Sequence, residues 1–96
     1  MYIAVRRYEG VKNKHELGRH FRETFLPLIS AIQGFRGYYL VSGAGGSVVT
    51  VSIFDHEAGA EESMKVAREW VQKHPDILPA ATHVIAGEVV GHQHAK

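Results

Sequence analysis

The sequence predicts an α+β fold in which strands and helices follow one another as β-α-β-β-α-β and the four strands form one antiparallel sheet. Three observations predict it. Four stretches alternate their side chains with the period of a strand, two longer stretches carry apolar residues three and four apart, and glycine or proline stands at most of the junctions between them.

The first strand is Tyr2 to Tyr8, with Ile3, Val5 and Arg7 on one side and Tyr2, Ala4, Arg6 and Tyr8 on the other. Gly10 ends it. Asn13 and Glu16 form a capping box, the Asn side chain accepting from free backbone N–H groups while the Glu reaches back, so a helix starts there. Leu17, Phe21, Phe25, Leu28 and Ile32 make its apolar stripe, and Lys14, Arg19, Arg22 and Glu23 point to water. Pro27 lacks a backbone donor and clashes with the carbonyl of Glu23, which predicts a kink or break near Phe25 to Leu26.

Gly34 closes that helix, and Phe35 to Ser42 reads as the second strand, with Phe35, Gly37, Tyr39 and Val41 on one face. The turn Gly43-Ala44-Gly45-Gly46 joins it to Ser47 to Phe54, where Val48, Val49, Val51 and Ile53 give the strongest strand signal, so the two form a hairpin. Asp55 is placed to cap a second helix over Glu57 to His74, whose stripe is Ala60, Met64, Ala67 and Val71. Pro75 stops it. After the linker Pro75 to Pro79, Thr82 to Val90 is the last strand, and Gly91 to Lys96 is a flexible tail.

This order is that of a ferredoxin-like fold with a four-stranded antiparallel sheet, and right-handed crossovers put both helices on one face of it. The other face is left bare. If Ile3, Val5, Phe35, Val49, Val51, Ile53 and Ile85 lie beneath the helices, then Tyr2, Ala4, Tyr8, Tyr38, Leu40, Val48, Phe54, Val84 and Val90 are on the second side. So much apolar β-surface exceeds what a soluble monomer leaves wet, which predicts a homodimer through the sheet faces; a larger partner, or a fold using both faces internally, is the alternative.

Ninety-six residues leave room for a single domain, 1–96. Eleven Lys and Arg against ten Asp and Glu provide no general attraction to phosphate or anionic lipid, so neither nucleic acid nor a membrane is an expected partner. Without cysteine there is no disulfide or thiolate chemistry, which suits the cytoplasm. Met1 to Gly10 reads as a strand bearing Arg6 and Arg7, not as a signal peptide.

With these elements in place, the chain resembles the dimeric α/β-barrel superfamily, and specifically the antibiotic biosynthesis monooxygenase-like (ABM-like) group, over residues 2 to 91. The resemblance is carried by the element order and by Phe25-Leu26-Pro27-Leu28-Ile29, Ile32-Gln33-Gly34-Phe35 and Ala86-Gly87-Glu88-Val89-Val90. It implies that two monomers press their sheets together into a barrel and that each keeps a pocket between its own sheet and helices. It implies two activity types. Oxygenases of this group that act on polyphenols without a cofactor carry a Trp on the second helix, an Asn one turn before it and a Tyr about six residues after; Trp70 matches, whereas Val66 and Asp76 do not. Haem-degrading relatives carry an Asn near the end of the first strand and a His about ten residues beyond the Trp; Arg7 and Ala80 stand there, which disfavours haem.

Among single residues, Trp70 is either core filling or a donor in an apolar pocket. Arg7, if it lies with Ile3 and Val5 beneath the helices, either holds a phenolate or carboxylate or pairs with Glu88. Phe21 and Tyr39 are further candidates for substrate contact. Of seven histidines, His20 and His83 are candidate general bases, since imidazole titrates near neutrality. No metal site is expected: His15 and His20 diverge on a helix, and His92 and His94 stand in the tail. Gly43 to Ser47 is a hairpin turn followed by a strand, where a phosphate loop needs a helix.

Two functions remain. One is a cofactor-independent oxygenase or isomerase acting on a small aromatic or polyketide-like compound, with Trp70, Arg7, Tyr39 and His20 or His83 as its means. The other is a non-catalytic module that binds a small apolar ligand in the same pocket, or a dimer whose pocket is filled by its own side chains. A pocket filled by Phe21, Phe25 and Met64 favours the module; an open one walled by Trp70 and Arg7 favours the enzyme.

Overall fold

In a computed structural model, which describes residues 1–95, the alternating stretches pair into one antiparallel sheet of order β2-β3-β1-β4. The strands are β1 (Tyr2–Tyr8), β2 (Phe35–Ser42), β3 (Val48–Phe54) and β4 (His83–Glu88). Ala4 stands between Ser52 of β3 and Ala86 of β4, and this register assigns every side chain to a face. The ferredoxin-like order is as the patterning predicts.

The helices cover the side opposite to the one the sequence suggested. Ala4, Tyr8, Val48, Thr50, Ser52 and Phe54 are buried beneath them, whereas Tyr39, Val41 and Ile85 are 61%, 49% and 70% exposed on the open face beside Ile3, Val5, Val49, Val51 and Ile53. Alternation defines two faces without labelling them. The greasier one is not the covered one, because the helices bring Phe21, Phe25 and Trp70, and such bulk needs small residues such as Ala4, Thr50 and Ser52 beneath it.

Arg7 consequently lies on the open face, exposed, with its Nε donating to Glu9 Oε1 at 2.6 Å. Glu88 is opposite Tyr2 at the far end of β1, so the Arg7–Glu88 pair does not form. Arg6, not Arg7, is the half-buried arginine under the helices. A bulge between Phe35 and Gly37 turns Phe35 to the helix side, edge-on to Phe54, while Gly37, Tyr39 and Val41 stay on the other.

The first helical stretch begins as the capping box requires, with Asn13 Oδ1 accepting from the Glu16 N–H at 3.0 Å. It then runs as α1 (Lys14–His20), a π-helical turn (Phe21–Phe25) and α2 (Leu26–Ser30). Leu17, Phe21, Phe25 and Ile29 are the buried positions, each four after the last. Three such steps overrun the α-helical repeat of about 3.6 residues by roughly one residue in total, and a single wide turn absorbs it. The Leu26 N–H reaches back to the Phe21 carbonyl, and Pro27, needing no donor partner, opens the next helix. Ile29 therefore takes the core position that the stripe gave to Leu28, which is 52% exposed.

The long helix α3 (Glu57–Lys73) buries Gly59, Ala60, Ser63, Ala67, Trp70 and Val71. Its N-cap is His56, without a side-chain bond; Asp55 instead faces Arg36, 3.5 Å away. The Pro75 to Pro79 linker is anchored by Leu78, fully buried in the core. β4 is shorter than the sequence suggested, although the Val89 N–H still bonds the Met1 carbonyl at 2.9 Å. Residues 91–95 are exposed and outside any element, and Lys96 lies outside the described residues.

The wide turn predicts an inverted cost of truncation in α2. Ile29→Ala is expected to cost about 2–5 kcal/mol, while Leu28→Ala stays within roughly 0.5–1 kcal/mol, measured by urea unfolding. Equal losses, or the reverse order, would contradict the phase shift.

Candidate functional site

Between the covered face of the sheet and the helices lies a closed chamber whose free volume is only about 10 Å³, roughly the room of one water molecule. Its bulk is aromatic. Trp70 projects from α3 between the rings of Phe21, edge-on at 4.9 Å and 89°, and Phe25, at 5.6 Å and 68°. On its outer side His74 stacks on the indole at 4.1 Å and 20°, with Nδ1 2.8 Å from the Trp70 carbonyl oxygen. Such ring pairs are worth about 0.5–1.5 kcal/mol each beyond the area they bury, so the cage is rigid as well as apolar.

The indole N–H is already engaged. It donates to Thr24 Oγ1 at 3.0 Å, and that hydroxyl donates to the His20 carbonyl at 2.8 Å, across the π-helical turn. Trp70 here ties two helices together, and its donor is spent on the protein.

The sheet supplies the polar side of the chamber. Arg6 Nε donates to Tyr8 Oη at 2.7 Å, and Tyr38 stands near Thr50, Phe21 and Phe25. Burial pushes the Tyr38 phenol well above its ordinary range, only partly offset by a hydrogen bond with Thr50. Burial also raises Tyr8, against the smaller opposing pull of Arg6. Both phenols are therefore neutral at physiological pH, fit to donate or accept hydrogen bonds and unfit to act as bases.

Of the residues singled out in the sequence, Trp70 and Phe21 meet in this chamber. His20 sits at its outer rim, 3.5 Å from the Glu16 carboxylate and with its ring 6.4 Å from that of His74. Arg7, Tyr39 and His83 lie on the open face of the sheet, His83 directly opposite Arg7 on the neighbouring strand. Met64 lines an adjacent cleft rather than the chamber. Sequence reasoning missed Arg6, Tyr8, Tyr38 and Thr24 as site residues. Assigning the covered face to the small residues would have found the first three; nothing local in the sequence announces Thr24 as a partner of Trp70, 46 positions away. Among the described residues no three His, Asp or Glu side chains gather as metal ligands.

No family model matches the chain, and none of the curated proteins is similar to it in sequence. Solved structures are similar in fold. A protein of unknown function from Nitrosomonas europaea, NE2512, is 17% identical with a TM-score of 0.70, covering 99% of this chain and 94% of its own. A monooxygenase from the gene ActVA-Orf6 of Streptomyces coelicolor, in complex with the ligand Nanaomycin D, is 14% identical with a TM-score of 0.70, covering 99% and 92%. A candidate antibiotic biosynthesis monooxygenase from Chloroflexus aurantiacus J-10-fl is 11% identical with a TM-score of 0.67, covering 97% and 96%. The fold is that of the ABM-like proteins.

Two outcomes test the chamber. Thr24→Val, which strips the indole of its acceptor, is expected to cost on the order of 1 kcal/mol in wild type and much less in a Trp70→Phe background, a coupling read from a double-mutant cycle in urea. Additive losses would mean that the bond carries no energy. The second concerns alkaline pH. Tyr8 and Tyr38 hold their protons in the folded state past the pH at which an unfolded phenol, of pKa about 10, releases its own. The unfolded state then binds fewer protons, so stability must fall as pH rises above about 10. Tyr38→Phe should flatten that fall in urea midpoints measured from pH 9 to 11; an unchanged slope would contradict the burial of this phenol.

Proposed function

We propose that the protein is a homodimeric ABM-like module, one domain over residues 1–96 with a flexible tail from 91, that binds a small aromatic or polyketide-like ligand on the helix side of its sheet, in the cytoplasm and without a cofactor or metal. The observation that carries binding ahead of catalysis is the state of the chamber: Phe21, Phe25 and Trp70 fill it, its two phenols are neutral, and His20 and His83 are outside it. A base that generates an electron-rich anion has no position there.

A second reading, a cofactor-independent oxygenase, is supported by Trp70 in the space between sheet and helices and by the fold likeness to the Streptomyces coelicolor monooxygenase with its bound Nanaomycin D. In that reading Trp70 and Phe21 contact the substrate, His20 at the rim takes its proton, and dioxygen is the oxidant. Arg7, Tyr39 and His83 take no part unless the second subunit brings its own helix side to them.

Dimerisation is supported by the open face, where Ile3, Val5, Val49, Val51 and Ile53 form a continuous apolar surface flanked by Tyr39, Val41 and Ile85. Covering such a surface contributes roughly 25 cal/mol per Å² before the entropy of association is subtracted. A second copy offers a matching, self-complementary surface about a two-fold axis.

Oxygen uptake during aerobic incubation with a panel of hydroquinones separates the readings. The binding module predicts no uptake above the protein-free rate; uptake that falls in Trp70→Phe would establish the oxygenase instead. For the assembly, sedimentation equilibrium at micromolar concentration should give a dimer for wild type and a monomer for Val51→Glu. A monomeric wild type would refute it.

A further inference from the structure

A cleft of about 480 Å³ runs between the flank of α3 and β4, beside the closed chamber. Met64, Arg68 and Gln72, one turn apart on α3, form one wall, and Val84 of β4 with Ala80 and Ala81, just before that strand, form the other. Its floor includes Arg6 and Val71, which also line the chamber, so the guanidinium of Arg6 stands at the partition between the two spaces.

Two arginines line this cleft, and no carboxylate does. Neither is neutralised elsewhere: the ion pairs among the described residues belong to Arg7, Arg19, His20 and Arg36. Arg6 donates from Nε to Tyr8 Oη and its guanidinium carbon lies 5.7 Å from the centre of the Tyr8 ring, while its two terminal nitrogens have no protein acceptor among the described residues. Those nitrogens reach water, and an anion that replaces the water there meets a planar fork able to match a carboxylate with two parallel hydrogen bonds. Methionine, valine and alanine side chains make the remaining walls apolar, and the volume is that of a small organic ligand rather than a bare ion.

We infer that this cleft is the ligand site and that it takes an aromatic carboxylate, its acid group on Arg6 and Arg68 and its ring against Met64, Val71 and Val84. The inference rests on the ligand-binding reading above and names the ligand class for it. It also moves the site from the filled chamber to the open space next to it. Residues on the helix side of the sheet and on the flank of α3 form the cleft, so a dimer made through the opposite face leaves it accessible.

Titration calorimetry at low salt with 2-naphthoate, its neutral counterpart 2-naphthylmethanol and inorganic phosphate tests this. The expected result is that 2-naphthoate binds at least tenfold more tightly than either of the others. Arg68→Gln should remove most of that preference, and Arg22→Gln, on the exposed face of the first helical stretch, should leave it intact. Arg6→Gln should do the same as Arg68→Gln; because Arg6 is half-buried, the exposed Arg68 carries the test if that variant does not fold. Absence of 2-naphthoate binding, equal binding of the alcohol or of phosphate, or an Arg68→Gln variant with undiminished preference would each overturn the assignment. Oxygen uptake is read separately. Naphthoate binding without uptake upholds both the cleft and the binding module, whereas hydroquinone oxidation without naphthoate binding removes the cleft and leaves the oxygenase.

Discussion

The contact between three large aromatic rings and a patch of small sheet residues is the constraint from which the remaining geometry follows. Phe21, Phe25 and Trp70 occupy the space that Ala4, Thr50 and Ser52 leave open. That size match decides which face of the sheet the helices cover. It sends the Ile- and Val-rich face to the outside, keeps the phenols of Tyr8 and Tyr38 away from water, and leaves the interior with almost no free volume.

The helix that supplies two of these rings is bent to its task. With buried apolar residues at three successive intervals of four, an unbroken α-helix would rotate its last core position off the sheet; the π-helical turn holds Leu17, Phe21, Phe25 and Ile29 in one line. Thr24 lies within that turn and meets the Trp70 indole, so the irregularity and the link between the two helices are one feature.

Element order, the hairpin turn and the Asn13 cap were legible in the sequence because each depends on neighbours in the chain. The faces were not. Period-two alternation is symmetric, and hydropathy favours Val49, Val51 and Ile53 over Thr50 and Ser52 as core, although the structure covers the latter. This single inversion accounts for Arg7 and Tyr39 being placed under the helices in place of Arg6 and Tyr38. The stripe also misassigned Leu28, since a repeat of three and four was assumed where the chain keeps strictly to four. Trp70 was recognisable by its size and its place on an amphipathic helix, whereas its hydrogen-bond partner comes from a distant segment that no local pattern marks.

Filling an interior with phenylalanine rather than with backbone has an evolutionary consequence. Truncating one buried phenylalanine costs about 3–5 kcal/mol of stability and leaves a hollow of the order of a benzene ring. A lineage built on this scaffold thus stands one codon change from trading a solid heart for a receptive one, and the polar lining contributed by Arg6, Tyr8 and Tyr38 is already there to greet whatever enters.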